Sequence, residues 1–271
     1  MPELPEVQTL VSELQSRVQN KGIQFCKVLR STVIGGDAKR FAQSVQGHRI
    51  MSVTRRGKFI VFILNSPKVV IAHLKMTGKF ITTSKYRPYH RHDRVFFILD
   101  DGQKLIFNDL RCFGRLELCD DIDHHNGIGS LGWEPWDTQL TAKKLHQNLI
   151  KRESPIKSLL LDQSIIAGIG NIYASEILFD ARIDPLKKAK SLKVSECERM
   201  IRSMRKILKK ALRYNGTTIS DYRRVDEKTG SFQNFLKVYG KAGTACFYCK
   251  QPISKIKQNQ RSTYLCAHCQ N

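Results

Sequence analysis

Two Cys-x2-Cys pairs near the end of the chain constrain its fold most tightly. Cys246 and Cys249 form the first, Cys266 and Cys269 the second, with 16 residues between them. Each pair bends the backbone so that two sulfurs face one point, and four thiolates fill the shell of a tetrahedral zinc ion. No position is left for a substrate, so one structural Zn2+ is expected. The insert is long enough for a β-hairpin, and so small a unit needs metal to fold. Lys255, Lys257, Arg261 and His268 decorate it. The other cysteines, Cys26, Cys112, Cys119 and Cys197, stand alone, as suits a reducing compartment.

Charge sets the class of partner. Lys and Arg number 46 against 24 Asp and Glu, a net charge of +22. The basic residues run along the whole chain, which suggests an electropositive face and a polyanion, most commonly nucleic acid. No helix sets Lys and Arg opposite Trp, Phe and Leu, so a membrane surface fits poorly. No apolar run is long enough to cross a bilayer, and no signal segment opens the chain; a cytoplasmic location is expected.

The 271 residues allow about two domains. Val7, Leu10, Val11, Leu14 and Val18 recur at helical spacing and predict a helix over 5–19. Strands are predicted over 25–33, 49–55, 58–64, 69–75, 94–99, 104–108 and 115–118, with turns at Gly35-Gly36 and Asp101-Gly102. Many short strands so spaced suggest a sandwich or barrel. The pattern then turns helical, over 141–150, 155–161, 171–179 and 195–214, the last with Ser195 and Glu198 at capping-box spacing. The expected organisation is a β domain over 1–131, a linker over 132–140, a helical domain over 141–238 and the cysteine module over 239–271. The fold class is α+β, with two domains.

Two further motifs carry chemistry. Removal of Met1 would leave Pro2 as a secondary amine beside the carboxylate of Glu3. That pair suits Schiff-base catalysis, and it equally suits a plain helix start. Gly168-Ile169-Gly170-Asn171 opens a helix and permits close backbone approach to an anion, with Lys157 upstream able to add charge. The same glycines equally suit tight helix packing. A dinucleotide loop is a poor reading, because a third glycine and a preceding strand are lacking.

Together these residues name a family. The segments 2–7 and 170–176 and the four-cysteine module lie in the order and at the separations of bacterial formamidopyrimidine-DNA glycosylases, which the chain resembles over essentially its full length. The resemblance implies a helix–two-turn–helix domain and a zinc finger. It also implies a monomer that excises oxidised purines, 8-oxoguanine and formamidopyrimidines, from double-stranded DNA and then cleaves the strand as an AP lyase. Pro2 would be the nucleophile, Glu3 the adjacent acid, and Lys58 and Arg261 catalytic-site cations. Met76, Arg111 and Phe113 would fill the space left by the extruded nucleotide. His92, Arg152, Lys157 and Asn171 would contact DNA, and the loop over 217–222 would close over the lesion base. Leu110 and Cys112 depart from the family, which often has proline and arginine there. An endonuclease VIII-like enzyme and a catalytically inert zinc-finger protein are the rival readings. The trio at 76, 111 and 113 favours the purine branch, and Pro2, Glu3 and Lys58 disfavour an inert binder.

Overall fold

The structure is a computed structural model describing residues 1–83, 87–217 and 230–270. It comprises two compact units, Met1–Gly129 with Tyr214–Ser231, and Ser130–Arg213 with Phe232–Asn271.

The first unit opens with α1 (Leu4–Val18) and β1 (Ile23–Val28). A short parallel strand β2 (Ile34–Gly35) and the helix α2 (Ala38–Val45) follow. Then come β3 (Ile50–Arg56), β4 (Phe59–Leu64), β5 (Val69–His73), β6 (Gly78–Thr83), β7 (Asp93–Leu99), β8 (Lys104–Asp109), β9 (Arg115–Cys119) and the single turn α3 (Asn126–Gly129). They build a four-stranded sheet in the order β1-β7-β8-β6 and a five-stranded sheet in the order β2-β9-β5-β4-β3. Side chains of both sheets share one core, which includes Phe62, Val70, Phe80, Val95, Phe107 and Leu116. This is the sandwich expected from the strand spacing.

The α1 stripe is the part of the helix that joins this core: Val7, Leu10, Val11, Leu14 and Val18 are each at most 4% exposed. Burial of each such side chain contributes about 1.5–3 kcal/mol, more than the helix propensity of the segment supplies. Polar contacts fix its direction along the sheet edge. Gln8 Oε1 accepts from Arg55 Nε at 3.0 Å, and Arg17 donates to Thr82 Oγ1 at 3.1 Å.

The second unit holds α4 (Ala142–Leu149), α5 (Ile156–Leu160), α6 (Asn171–Asp180), α7 (Val194–Arg213) and the hairpin of β10 (Ser254–Gln258) with β11 (Arg261–Leu265). The central helix α6 is buried on nearly every side, from Tyr173 to Phe179. One face of α7 buries Met200, Ile201, Met204 and Leu208. The expected linker packs on this unit: Arg205 donates to the carbonyls of Pro135, Asp137 and Leu140 at 2.8, 3.1 and 3.3 Å. The finger belongs to the same unit as the helices.

Four local expectations change. The strand expected over 25–33 ends at Val28, and Ser31–Val33 form a 3-10 turn. Strand β6 and helix α2 were not predicted. The capping box expected at Ser195 and Glu198 is not the one used: Glu196 accepts from the Lys193 N–H at 2.8 Å, which caps α7 two residues earlier. Glu198 instead pairs with Arg202 at 2.9 Å across one helical turn.

Candidate active site and nucleic-acid interface

The start of α1 is defined by two glutamates. Glu3 is the N-cap, and its carboxylate accepts the Glu6 N–H. The Glu6 Oε2 accepts the Glu3 N–H in return at 2.9 Å, a reciprocal capping box. The other oxygen, Oε1, accepts from the N–H and the hydroxyl of Thr217 at 2.7 and 3.0 Å. Gly216 allows this approach: its φ is +75°, and a Cβ there would lie 2.6 Å from Glu6 Oε1. Pro2 and Glu3 are both buried, while Met1 is 43% exposed. Of the loop expected over 217–222, only Thr217 lies within the described residues.

Lys58 occupies the two-residue turn between β3 and β4, after Gly57, whose φ is +56°. A positive φ at the first turn position suits a tight hairpin and costs glycine little. Lys58 is only 5% exposed. Across the β4–β5 ladder, His73 pairs with the adjacent Phe59. Burial, with Lys75 and Lys58 nearby, pushes the His73 pKa down to about 3, so its ring is neutral at ordinary pH. The Lys75 N–H donates to Nδ1 at 3.0 Å, which places the ring proton on Nε2 and leaves that atom a hydrogen-bond donor. The sequence offered no periodic signal for His73, because its position depends on strand pairing.

Met76, Arg111 and Phe113 stand on two turns of the first unit. Met76 is 43% exposed and Phe113 52%. The Arg111 guanidinium lies over the Phe113 ring at 4.6 Å. Neither Met76 nor Phe113 is in the core, so ordinary core packing does not explain them. His92 precedes β7, in a loop anchored by Asp93. That buried carboxylate meets Arg87 at 3.1 Å, the His90 N–H at 2.9 Å and Asn108 Nδ2 at 2.8 Å. Partial burial and the neighbouring Arg91, His90 and Arg94 hold the His92 ring below the usual histidine range.

In the second unit, Asn171 begins α6, and Gly168 turns the chain into it at φ +90°. Gln163 braces this turn, accepting from the Gly168 N–H at 2.9 Å and donating to the Ile169 carbonyl at 2.9 Å. Lys157 is where expectation and structure part. It is 1% exposed, and its ammonium donates to Asn171 Oδ1, Thr263 Oγ1 and the Ser262 carbonyl at 2.7, 2.7 and 3.1 Å. Asn171 Nδ2 also donates to the Ser262 carbonyl, at 2.9 Å. Lys157 and Asn171 are thus brought together beneath β11, where an ammonium matches three converging oxygens. Arg152 follows α4, with Nε 3.3 Å from the Asn148 carbonyl.

Arg261 is exposed at the tip of the hairpin. Asn259 and Gln260 form the tip, both at positive φ (48° and 60°), which matches the right-handed twist of the strands. Asn259 Nδ2 ties the tip to Ser158 Oγ at 2.9 Å. The four cysteine sulfurs lie within 4.8 Å of one another. Tetrahedral Zn–S bonds of about 2.3 Å place sulfurs about 3.8 Å apart, so the cluster fits zinc. Among the described residues it is the only such group. The isolated thiols of Cys26 and Cys197 are different: burial pushes them up to about 12 and about 11, leaving them unreactive.

Residues 1–116 match the family model of the formamidopyrimidine-DNA glycosylase N-terminal domain. Residues 131–223 match the H2TH domain of the same glycosylases, and 246–271 the zinc finger found in FPG and IleRS. Formamidopyrimidine-DNA glycosylases of Rickettsia conorii and Carboxydothermus hydrogenoformans are each 38% identical over 271 residues, covering all of this chain and 99% and 100% of theirs. The chain belongs to the formamidopyrimidine-DNA glycosylase family. A complex between a Lactococcus lactis FPG mutant and a Fapy-dG containing DNA superposes with a TM-score of 0.94 at 33% identity, covering 100% of both chains. A complex of Lactococcus lactis Fpg with an abasic site containing DNA gives 0.93 at 32%, covering 99% of both.

Within this glycosylase fold the sequence missed Glu6, His73, Thr77, Asp109 and Gln163. Glu6, Thr77 and Asp109 act through hydrogen bonds to residues 32 or more positions away, whereas His73 and Gln163 bond to near neighbours whose geometry only the folded turns reveal. Glu176, inside the 170–176 motif, likewise holds its own unit: it accepts from the N–H groups of Lys237, Val238 and Tyr239 at 2.8–3.1 Å. Burial raises its pKa, against those donors. Among the described residues, no helix is long and apolar enough to cross a membrane. The Lys157 network makes a direct prediction. Lys157→Met will strand Asn171 Oδ1 and lower the unfolding free energy by about 2 kcal/mol in denaturant titration. An unchanged midpoint would contradict this reading of the ammonium.

Proposed function

We propose that this glycosylase is bifunctional, excising oxidised purines from duplex DNA through a Schiff base on Pro2 and then cutting the strand. The carrying observation is the placement of Pro2 beside the Glu3–Glu6 cap at the start of α1. Once Met1 is gone, the proline nitrogen is a secondary amine held at a helix N-terminus in a chain of net charge +22. Both features favour the neutral, nucleophilic amine over the ammonium.

The target nucleotide must leave the stack before its sugar can be attacked. Met76 and Phe113 are apolar, exposed and suited to the emptied space, and Arg111 can donate to the orphaned cytosine. The Pro2 nitrogen forms a bond to C1′ as the glycosidic bond breaks and the base departs with its electron pair. Glu3 is placed to move protons, to the sugar ring oxygen and during breakdown of the intermediate. Ring opening yields an iminium on Pro2. The iminium acidifies the C2′ proton, and its removal expels the 3′ phosphate. A second elimination expels the 5′ phosphate, and water releases Pro2. Lys58, the finger residue Arg261 and the neutral His73 suit phosphate oxygens through these steps. Asn171, His92 and Arg152 suit the DNA backbone, whereas Lys157 serves by fixing Asn171. The cysteine cluster would hold one structural zinc that takes no part in the chemistry.

Relatives captured on Fapy-dG and abasic-site DNA support this substrate class. The test is incision of a duplex bearing 8-oxoguanine opposite cytosine, beside one bearing thymine glycol. The expected result is a one-nucleotide gap with phosphate at both ends and preference for the purine lesion. Binding without strand cleavage would overturn the lyase assignment, and preference for thymine glycol the purine assignment.

A further inference from the structure

Met76 sits on one turn and Arg111 and Phe113 on another, yet one buried carboxylate joins those turns. Asp109 ends β8 and is 0% exposed. Its Oδ1 accepts from the Thr77 hydroxyl and from the Arg111 N–H, the latter at 3.2 Å. Its Oδ2 accepts from the Gly114 N–H at 2.8 Å. The Arg111 N–H is shared with Thr77 Oγ1 at 3.1 Å. Thr77 follows Met76 directly, and Arg111 and Gly114 bracket Phe113. A single side chain therefore holds both turns by atoms adjacent to the three exposed residues.

The surroundings are shaped for this carboxylate. A Cβ at Gly114 would lie 2.6 Å from Phe107 Cζ and 3.1 Å from Asp109 Oδ2, and one at Gly78 would lie 2.6 Å from the Leu74 carbonyl. Both glycines let the turns close on the network. Arg94 supports it from the other side, donating to the Asp109 carbonyl at 2.7 Å. The strands do not need this side chain to pair, because Gly78 and Asp109 are already partners in the β6–β8 ladder. The side chain is directed at turn N–H groups, where its effect is on turn geometry.

We propose that Asp109 and Thr77 are a positioning pair that registers Met76, Arg111 and Phe113 as one wedge and thereby sets selectivity for the opposite base. The proposal rests on the reading of those three as the residues that occupy the extrusion gap. An ionised carboxylate accepts everywhere, whereas asparagine would set an N–H2 against either Gly114 or the Arg111–Thr77 side. The turn would then relax, and Arg111 would no longer be pre-aimed.

The test compares wild-type protein with Asp109→Asn, Thr77→Val and Arg111→Ala. Single-turnover excision of 8-oxoguanine is measured opposite cytosine and opposite adenine. Borohydride trapping on a single-stranded abasic oligonucleotide, which needs neither extrusion nor an opposite base, reports the remaining chemistry. All three variants are expected to lose the cytosine preference, Asp109→Asn and Thr77→Val by about tenfold, the scale of one well-made base contact, while single-strand trapping persists in those two. Thr77→Val keeps the side-chain shape, removes only the hydroxyl that donates to Asp109, and decides the matter if Asp109→Asn folds poorly. If Arg111→Ala loses the preference while both other variants keep it, the positioning role is overturned. Equal losses on both duplexes and on the single strand would also overturn it, as plain destabilisation. If Arg111→Ala itself keeps the preference, the wedge reading fails and takes the inference with it.

Discussion

Protein that retains Met1 will give no borohydride-trapped adduct with an abasic duplex, while the same chain beginning at Pro2 will be trapped. The expected difference is at least about 10³-fold in trapping rate, about 4 kcal/mol of barrier, because the proposed covalent route depends on one nitrogen. With Met1 attached, that nitrogen is a tertiary amide with no lone pair to offer. The cap formed by Glu3 and Glu6 uses backbone and carboxylate atoms that are the same in both forms, so duplex affinity is expected to change far less. Mass analysis of the N-terminus must accompany the assay. Equal trapping by the Met1-retaining form would transfer the Schiff base to another amine, and a buried lysine such as Lys58 would be the first to test. A Pro2→Gly protein with Met1 removed keeps an amine and is expected to trap.

The second large effect is on the metal. Chelation, or Cys249→Ser, will abolish the melting transition of the finger and lower duplex affinity at least about a hundredfold; zinc will restore the chelated protein but not the variant. Structural zinc in such fingers contributes about 10–16 kcal/mol near neutral pH, far beyond what the finger's own small core supplies. That core is little more than Phe179, Val238 and Ile253 around the cysteines. The loss would spread inward. Ser262 and Thr263 on β11 are the acceptors for Lys157 and Asn171, so a collapsed hairpin removes the partners of both. One zinc per chain by elemental analysis, with unfolding followed by calorimetry and binding by gel shift, checks the prediction. Undiminished duplex binding after complete zinc removal would contradict it.

What could be read in advance follows from distance along the chain. Helix α1, the strands with continuous apolar runs and the four cysteines are local patterns, and their signals lie within a few residues. Helix α2 has only Phe41 and Val45 buried, too few positions to establish a helical period. Strand β6 follows a tight turn at Lys75, with φ +51°, and its register comes from β8, about thirty residues downstream. Lys157 is expected at a phosphate because it lies upstream of the Gly168–Asn171 turn, but its three acceptors lie 14, 105 and 106 positions away. Met76, Arg111 and Phe113 are legible by resemblance, and the network beneath them is not, because Thr77 and Asp109 are 32 positions apart.

The link between Glu6 and Thr217 also bears on the order in which the molecule is completed during synthesis. The first unit is interrupted in sequence, since Met1–Gly129 is joined only later by Tyr214–Ser231. A ribosome that has released residue 129 has supplied both sheets and α1, but not the two donors that Glu6 Oε1 awaits. Those donors are 211 positions downstream and emerge only after the helices of the second unit. The nascent sandwich can condense early, whereas Glu6 at the start of α1 acquires its bonds to Thr217 late. The cap at the start of α1 is thus made before the second unit and completed after it.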